Sequence, residues 1–192
     1  MFTEKAGKRR LCKRYDILGH AHYLTFSCWR CQPFLSASRS RTWLLEAVDK
    51  ARRVHGFDLW AWVIMPEHVH LLILPHDGAR ISAILSSVKQ PVAKKAVFHV
   101  RRHRPDFLPR MEDRQPSGRR SYRFWQPGGG YDRNIWTAGE LHEKAGYIHA
   151  NPVRRGLVES PQDWPWSSWR AWAQDIDEPI RIDRDSLPPI QR

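Results

Sequence analysis

The sequence predicts a single α+β domain, and three observations predict it. Runs of β-branched and aromatic residues interleave with runs of helical spacing, in the order strand, helix, two strands, helix, strand, helix. With 192 residues, 41% of them hydrophobic, the chain is long enough to bury one core and too apolar for wholesale disorder. One apolar strand, His68–Leu74, also carries histidines two apart, and a strand projects such a pair from one face. The organisation expected is a basic N-terminal arm over residues 1–15, a main domain over 16–160 and a Trp-rich C-terminal tail over 161–192.

The first strand runs from His20 to Trp29, with β propensity from Tyr23, Leu24, Phe26 and Cys28. It opens on a second pair at the same spacing, His20 and His22, whose position at a strand start suits a supporting or packing role. Ser38 to His55 is an amphipathic helix: Leu44, Leu45, Val48, Ala51 and Val54 follow helical spacing. Ser40 or Thr42 is its expected cap, and Gly56 its end. Phe57–Ile64 and His68–Leu74 are the next two strands, broken by Met65-Pro66-Glu67, since Pro66 cannot donate to a ladder. A second helix starts near Arg80 with Ile81, Ile84, Leu85 and Val88 on one face, and Pro91 is expected to kink it or end its first part. Residues 104–121 read as a loop and Tyr122–Gln126 as a short strand. The run Pro127-Gly128-Gly129-Gly130 reads as a flexible turn, its spacing matching neither a Walker loop nor a dinucleotide fingerprint. Thr137-Ala138-Gly139-Glu140 is a capping box that starts the last helix. Leu141, Ala145 and Ile148 form its buried stripe, and Asn151-Pro152 is expected to stop it. The four tryptophans Trp164, Trp166, Trp169 and Trp172 read as packing, with one or two rings left for unpaired bases. Residues 174–192 read as a loosely held tail.

Charge narrows the partners. Lys and Arg total 32 against 20 Asp and Glu, a net charge of +12 with a pI near 10.2, which favours a polyanion. Lys89, Lys94, Lys95, Arg101 and Arg102, on and after the second helix, are the expected phosphate-tracking surface. The basic start of the chain lacks the apolar core of a secretory signal, and no long apolar run or lipidation motif appears. The expected setting is cytoplasmic and nucleoid-associated, with no membrane partner. Cys12, Cys28 and Cys31 read as three reduced thiols, because a lone C-x-x-C is weak evidence for zinc.

His68 and His70 are half of a divalent metal site; for H-x-H alone, core histidines satisfied by backbone are the competing reading. On the last helix Glu140, Lys144, Tyr147 and Asn151 share a stripe apart from the apolar one, with Tyr147 and Asn151 one turn apart. MPEHVHLLIL followed downstream by YIHANPVRRGLV resembles the single-tyrosine transposases of the HUH superfamily, and more closely their REP-associated tyrosine transposase branch. The resemblance takes in HYLTF, FWQPGGGYDRNIW and PQDWPWSSWRAW, covering most of residues 20–173. The glycine run and Pro91 depart from the pattern.

That resemblance implies a ferredoxin-like fold of the HUH-nuclease type, an antiparallel sheet bearing the histidine pair with helices on one face. It implies His68 and His70 as metal ligands and catalytic groups, Tyr147 as nucleophile and Asn151 as a third ligand, with Mg²⁺ or Mn²⁺ as the ion. A divalent ion on two imidazoles neutralises charge developing on a phosphodiester, and a tyrosine stores the cut bond as a 5′-phosphotyrosine. A free phenol, with a pKa of about 10, is mostly protonated at neutral pH; Lys144 one turn earlier reads as a solvated lysine, with assistance to the phenolate as the alternative. Glu67 is a candidate hydrogen-bond acceptor for a ligand imidazole. The implied substrate is single-stranded or hairpin DNA such as repetitive extragenic palindromes. A monomer is the expected state, with a dimer as the alternative. A DNA-binding protein that keeps the fold without cleaving, and a phosphodiesterase in which water attacks, are the competing functions.

Overall fold

A computed structural model describes residues 16–115, 118 and 120–189; the basic arm expected over residues 1–15, with Cys12, lies outside the described residues. In chain order the elements are β1 (Ala21–Ser27), α1 (Ser38–His55), β2 (Phe57–Ile64), β3 (His68–Pro75) and α2 (Ile81–His103). A short helix α3 (Leu108–Met111), β4 (Glu112–Arg114), β5 (Arg120–Tyr122), β6 (Tyr131–Ile135), α4 (Ala138–Arg154) and a short α5 (Trp169–Gln174) follow. β2, β3, β1 and β6 form one antiparallel sheet in that order, while β4 and β5 pair separately as a hairpin.

The sheet sorts its residues by the two-residue period. On one face Leu24, Phe26, Val69, Leu71, Ile73, Leu59 and Trp62 meet Leu44, Leu45, Val48 and Ala51 of α1 and Ile81, Leu85, Val88 and Val92 of α2. On the other, Tyr23, Ala61, Val63 and Leu72 meet Leu141, Ala145 and Ile148 of α4. Each fully buried side chain of this size contributes about 1.5–3 kcal/mol of transfer free energy, so both faces are strongly specified. Helices therefore cover both faces, where helices on one face were expected. α4 crosses the face that carries His68 and His70, with Trp164, Trp172 and Leu187 packed beside it.

Four further expectations are corrected. The fourth strand of the sheet is Tyr131–Ile135 rather than Tyr122–Gln126, whose Trp125 makes only an isolated bridge to Cys28. Gly130 explains the displacement: at φ +79° a Cβ there would lie 2.1 Å from the Thr25 carbonyl oxygen, so glycine lets the chain enter beside β1. Pro91 neither ends nor divides α2, because Val88, Val92 and Ala96 continue one buried stripe across it. Pro152 likewise lies inside α4, buried beside Asn151, and the helix continues to Arg154. In each case burial outweighs one missing backbone hydrogen bond. At α1 the cap position is Ala37; Ser40 instead donates to the carbonyls of Phe34 and Ala37, at 2.8 Å each, fastening the turn before the helix. The capping box of α4 forms as expected: the Thr137 hydroxyl accepts from the Glu140 N–H at 3.1 Å, and the Glu140 carboxylate accepts from the Trp136 N–H at 3.0 Å.

The C-terminal segment is docked rather than loose. β2 is an edge strand, and an edge leaves backbone groups without partners. Ile64 N–H donates to the Trp166 carbonyl and Ser168 N–H to the Trp62 carbonyl, both at 2.9 Å. The indoles of Trp164 and Trp172 donate to the carbonyls of Ile64 and Trp60 at 3.1 and 2.7 Å, and the Arg41 guanidinium lies between the Trp164 and Trp166 rings. Further along, Ile180 and Ile182 are buried and Asp183 exchanges hydrogen bonds with the backbone of Leu59. Cys28 is buried and Cys31 exposed, both free thiols, with burial pushing the Cys28 thiol up. No described helix is long and apolar enough to cross a membrane.

Ser168 joins three elements: its hydroxyl accepts from the buried Trp62 N–H at 2.9 Å and meets His149 Nε2 of α4 at 2.9 Å. Ser168→Ala orphans that N–H and is expected to cost about 1–3 kcal/mol, read as a lower urea midpoint at unchanged slope. Burial lowers the pKa of His149 to about 4. The folded state then binds fewer protons than the unfolded one between there and the unfolded value of about 6.5. This contribution is fully present above pH 6.5 and is lost as pH falls through 4. His149→Gln, which keeps a partner for Ser168 but cannot titrate, is expected to shrink the pH 7 to pH 5 stability difference by about 2 kcal/mol in urea titrations.

Candidate active site

The sheet register assembles the site. Val63, His70, Thr25 and Tyr131 are successive cross-strand partners in one row, and Ala61, Leu72, Tyr23 and Arg133 form the next. Directly paired residues share a face, so His70, Thr25, Tyr131, Tyr23 and Arg133 all stand on the side covered by α4. His68, opposite Ser27, joins them at the end of β3.

The two imidazoles face each other, with His68 Nε2 and His70 Nε2 3.0 Å apart. Each has its Nδ1 against oxygen: His68 on the Glu67 carboxylate at 3.1 Å, His70 on the hydroxyls of Tyr23 and Thr25 at 2.7 and 2.8 Å. Arg155 pairs with the same Glu67 carboxylate at 2.8 Å. Protons on both Nδ1 atoms, donated to these oxygens, leave the two neighbouring Nε2 atoms with free lone pairs. That tautomer is the one metal-ligating histidines adopt. With ligand bonds of about 2.1 Å, adjacent corners of an octahedron are about 3 Å apart, so the pair fits two neighbouring positions around an ion such as Mg²⁺. Burial, with the proximity of His68, holds His70 down to about 3. Burial also lowers His68, partly opposed by Glu67. Both rings are thus neutral at neutral pH, as ligation needs. Tyr23, raised to about 12 chiefly by its own burial, remains a phenol.

α4 brings Tyr147 to this pair. Its ring centroid lies 6.0 Å from that of His70 and 6.3 Å from that of Tyr23, both nearly perpendicular. Asn151, one turn on, is buried, and its amide nitrogen lies 3.5 Å from the Tyr147 carbonyl, within its own helix. Among the described residues no cluster of three or more His, Cys, Asp or Glu side chains could hold a metal ion.

A cavity of about 350 Å³ opens beside these groups, lined by Tyr23, Thr25, His70, Tyr131, Arg133, Lys144 and Tyr147. Among the described residues no carboxylate lines it. Lys144 and Arg154 lie over the Tyr147 ring, at 6.0 and 5.1 Å from its centroid. A second, mainly apolar cavity, between α1, α2 and Phe124, lies on the other side of the sheet, away from this chemistry.

The cations expected on α2 lie elsewhere. α2 packs on the sheet face opposite the histidine pair. Lys89 donates to the carbonyls of Gly128 and Gln126 at 2.6 and 3.3 Å, tying down the glycine run. Lys95 pairs with Glu46 at 2.7 Å, Arg101 lies over the Tyr122 ring, and Lys94 and Arg102 are exposed. His22, held in reserve, forms a buried pair with Asp132 at 2.7 Å, on the α1/α2 face. Sequence reasoning missed Tyr23, Thr25, Tyr131 and Arg133 as site residues. Their only signal was alternation on two strands whose pairing partners the sequence does not reveal.

No family model matches the chain. The chain is 24% identical to a REP-associated tyrosine transposase of Escherichia coli strain K12 over 177 residues, covering 86% of this chain and 92% of that protein. It is 26% identical to a putative REP-associated tyrosine transposase of Haemophilus influenzae over 139 residues, 68% of this chain and 73% of that one. Among solved structures, a REP-associated tyrosine transposase bound to a REP hairpin superposes with a TM-score of 0.62 at 24% identity, over 94% of this chain and 98% of that one. Along most of its length, then, the protein is similar in sequence to REP-associated tyrosine transposases and shares their fold.

Proposed function

We propose that the protein is a REP-associated tyrosine transposase: a divalent-metal-dependent endonuclease and strand transferase that acts on single-stranded, hairpin-forming DNA through a 5′-phosphotyrosine. The observation that carries this reading is the convergence of a paired, neutral His68 and His70 with Tyr147 beside one carboxylate-free cavity. The sequence relatives support the substrate class.

His68 and His70, with Asn151 as a further oxygen donor, would hold a Mg²⁺ or Mn²⁺ ion, and such an ion would supply charge neutralisation for the phosphodiester. The rest is done by side chains. Glu67 holds the His68 ring, Tyr23 and Thr25 hold that of His70, and both Nε2 atoms stay aimed at the phosphate position. Lys144 and Arg133 draw the phosphodiester into the cavity against Tyr147. The Tyr147 oxygen attacks phosphorus and the bond from phosphorus to the 3′ oxygen breaks. The phenol gives up its proton, and the leaving 3′ oxygen takes one to become a hydroxyl. Reversal with another 3′-hydroxyl rejoins the strand. The groups named meet within one chain, so the reading requires no residue from a second copy.

The test is a covalent-adduct assay with an end-labelled hairpin oligonucleotide bearing single-stranded flanks and Mn²⁺. The wild-type protein is expected to carry label through denaturing electrophoresis, and Tyr147→Phe to carry none while keeping its DNA affinity within about threefold. His68→Ala is expected to lower adduct formation by at least about 100-fold with binding largely kept. Cleavage that survives Tyr147→Phe favours attack by water, and hairpin binding without any cleavage favours a protein that reads DNA and does not cut it.

A further inference from the structure

We infer that the outer end of the cavity is a stacking subsite for the nucleobase that flanks the scissile phosphate, with Tyr131 as its platform and Arg133 and Lys144 as its phosphate contacts. This inference deepens the nuclease reading and rests on it. A phosphodiester held between the histidine pair and Tyr147 brings its two nucleosides with it, and one of them must lie along the cavity. Tyr131 is the large aromatic there that stays open, 47% exposed, while Tyr23 beside it is buried. The sheet sets its position. Tyr131 pairs with Thr25, and Thr25 with His70, so two strand spacings of about 4.8 Å separate Tyr131 from the metal-side histidine.

The platform is also held in place. Gly130 lets the backbone close onto Thr25, which anchors the first residue of β6. The Tyr131 ring meets the edge of Tyr23 with centroids 6.1 Å apart and planes at 69°. Tyr23 is itself fixed by its hydrogen bond to His70 at 2.7 Å. Arg133, next but one on β6, shares this face and pairs with Glu140, while Lys144 meets Glu143 at 2.9 Å. A guanidinium has five donors and an ammonium three, so each keeps donors for phosphate oxygens. Every base has a π-face, so such a platform takes any unpaired base and excludes a paired one.

The experiment measures binding without cleavage. In a Tyr147→Phe background, single-stranded oligonucleotides carrying one abasic position at a time are titrated by fluorescence anisotropy at fixed salt. One abasic position is expected to weaken binding about 5- to 100-fold, the range of a lost base–aromatic stack. Tyr131→Ala is expected to weaken the intact strand by the same factor and to abolish the penalty at that position alone, and Tyr131→Trp to restore both. An unchanged abasic profile in Tyr131→Ala overturns the subsite, whether or not the wild-type protein forms a covalent adduct. An absent adduct, with the abasic position still coupled to Tyr131, overturns the nuclease reading and leaves the subsite standing.

Discussion

The register between β3 and β1 is the constraint on which the molecule depends. Side chains alternate on a strand, so a slip of one residue would carry His68 and His70 into the packed face beneath α1 and α2. Val69 and Leu71 would then face the cavity. Packing forbids this: Val69, Leu71 and Ile73 are all but inaccessible, and so are the Leu24 and Phe26 of β1 that share their face. The apolar half of β3 thus holds the polar half in place. Two imidazoles proposed to share one ion need their nitrogens fixed to within about half an ångström, and a strand buried on both faces is among the stiffest supports a small domain has.

The two faces of the sheet divide the work. Beneath α1 and α2 lies a large aliphatic and aromatic core. Under α4 the packing is smaller and stops short of the sheet's far end, where Tyr23, Thr25, His70 and Tyr131 meet the cavity. Charge is divided as well. The net excess of +12 invites one broad basic surface, yet several α2 cations are committed to loop carbonyls, a carboxylate or an aromatic ring. Lys144 and Arg154 of α4 lie over the Tyr147 ring, and Arg133 of β6 lines the same cavity. Net charge speaks for the class of partner, and only the fold says where the partner is met.

What could be read from the sequence divides along the same physical line. Local signals were legible: α1 spans Ser38–His55 as its periodicity requires, the Thr137 box starts α4, and H-x-H displays two imidazoles on one face. Proline signals misled at Pro91 and Pro152, because a buried stripe running through each position outweighs one lost hydrogen bond. Pairing was not legible. Tyr131–Ile135 offers only short, charge-interrupted alternation after three glycines, and it becomes a strand because β1 has a free edge and Gly130 admits close approach. The polar C-terminal segment reads as loose, but its backbone completes the edge of β2. Elements held by their own sequence could be foreseen; elements held by a partner could not.

That last distinction bears on α4, the helix that carries Tyr147. α4 presses Leu141, Ala145 and Ile148 onto the sheet, while His142 and His149 face the C-terminal segment. His142 Nε2 meets the Pro188 carbonyl at 3.0 Å, and His149 Nε2 meets the Ser168 hydroxyl at 2.9 Å. Tyr147 therefore rides on a helix gripped from two sides, with the second grip supplied by the segment that seals β2. Loosening that segment would remove a support from the helix that carries Tyr147 without touching the cavity, and would leave the histidine pair, which belongs to the sheet, where it is. The imidazoles are set by strand register and the phenol by helix docking. The site is assembled from two supports, a strand and a helix, and the helix carries the group proposed to form and break the covalent bond.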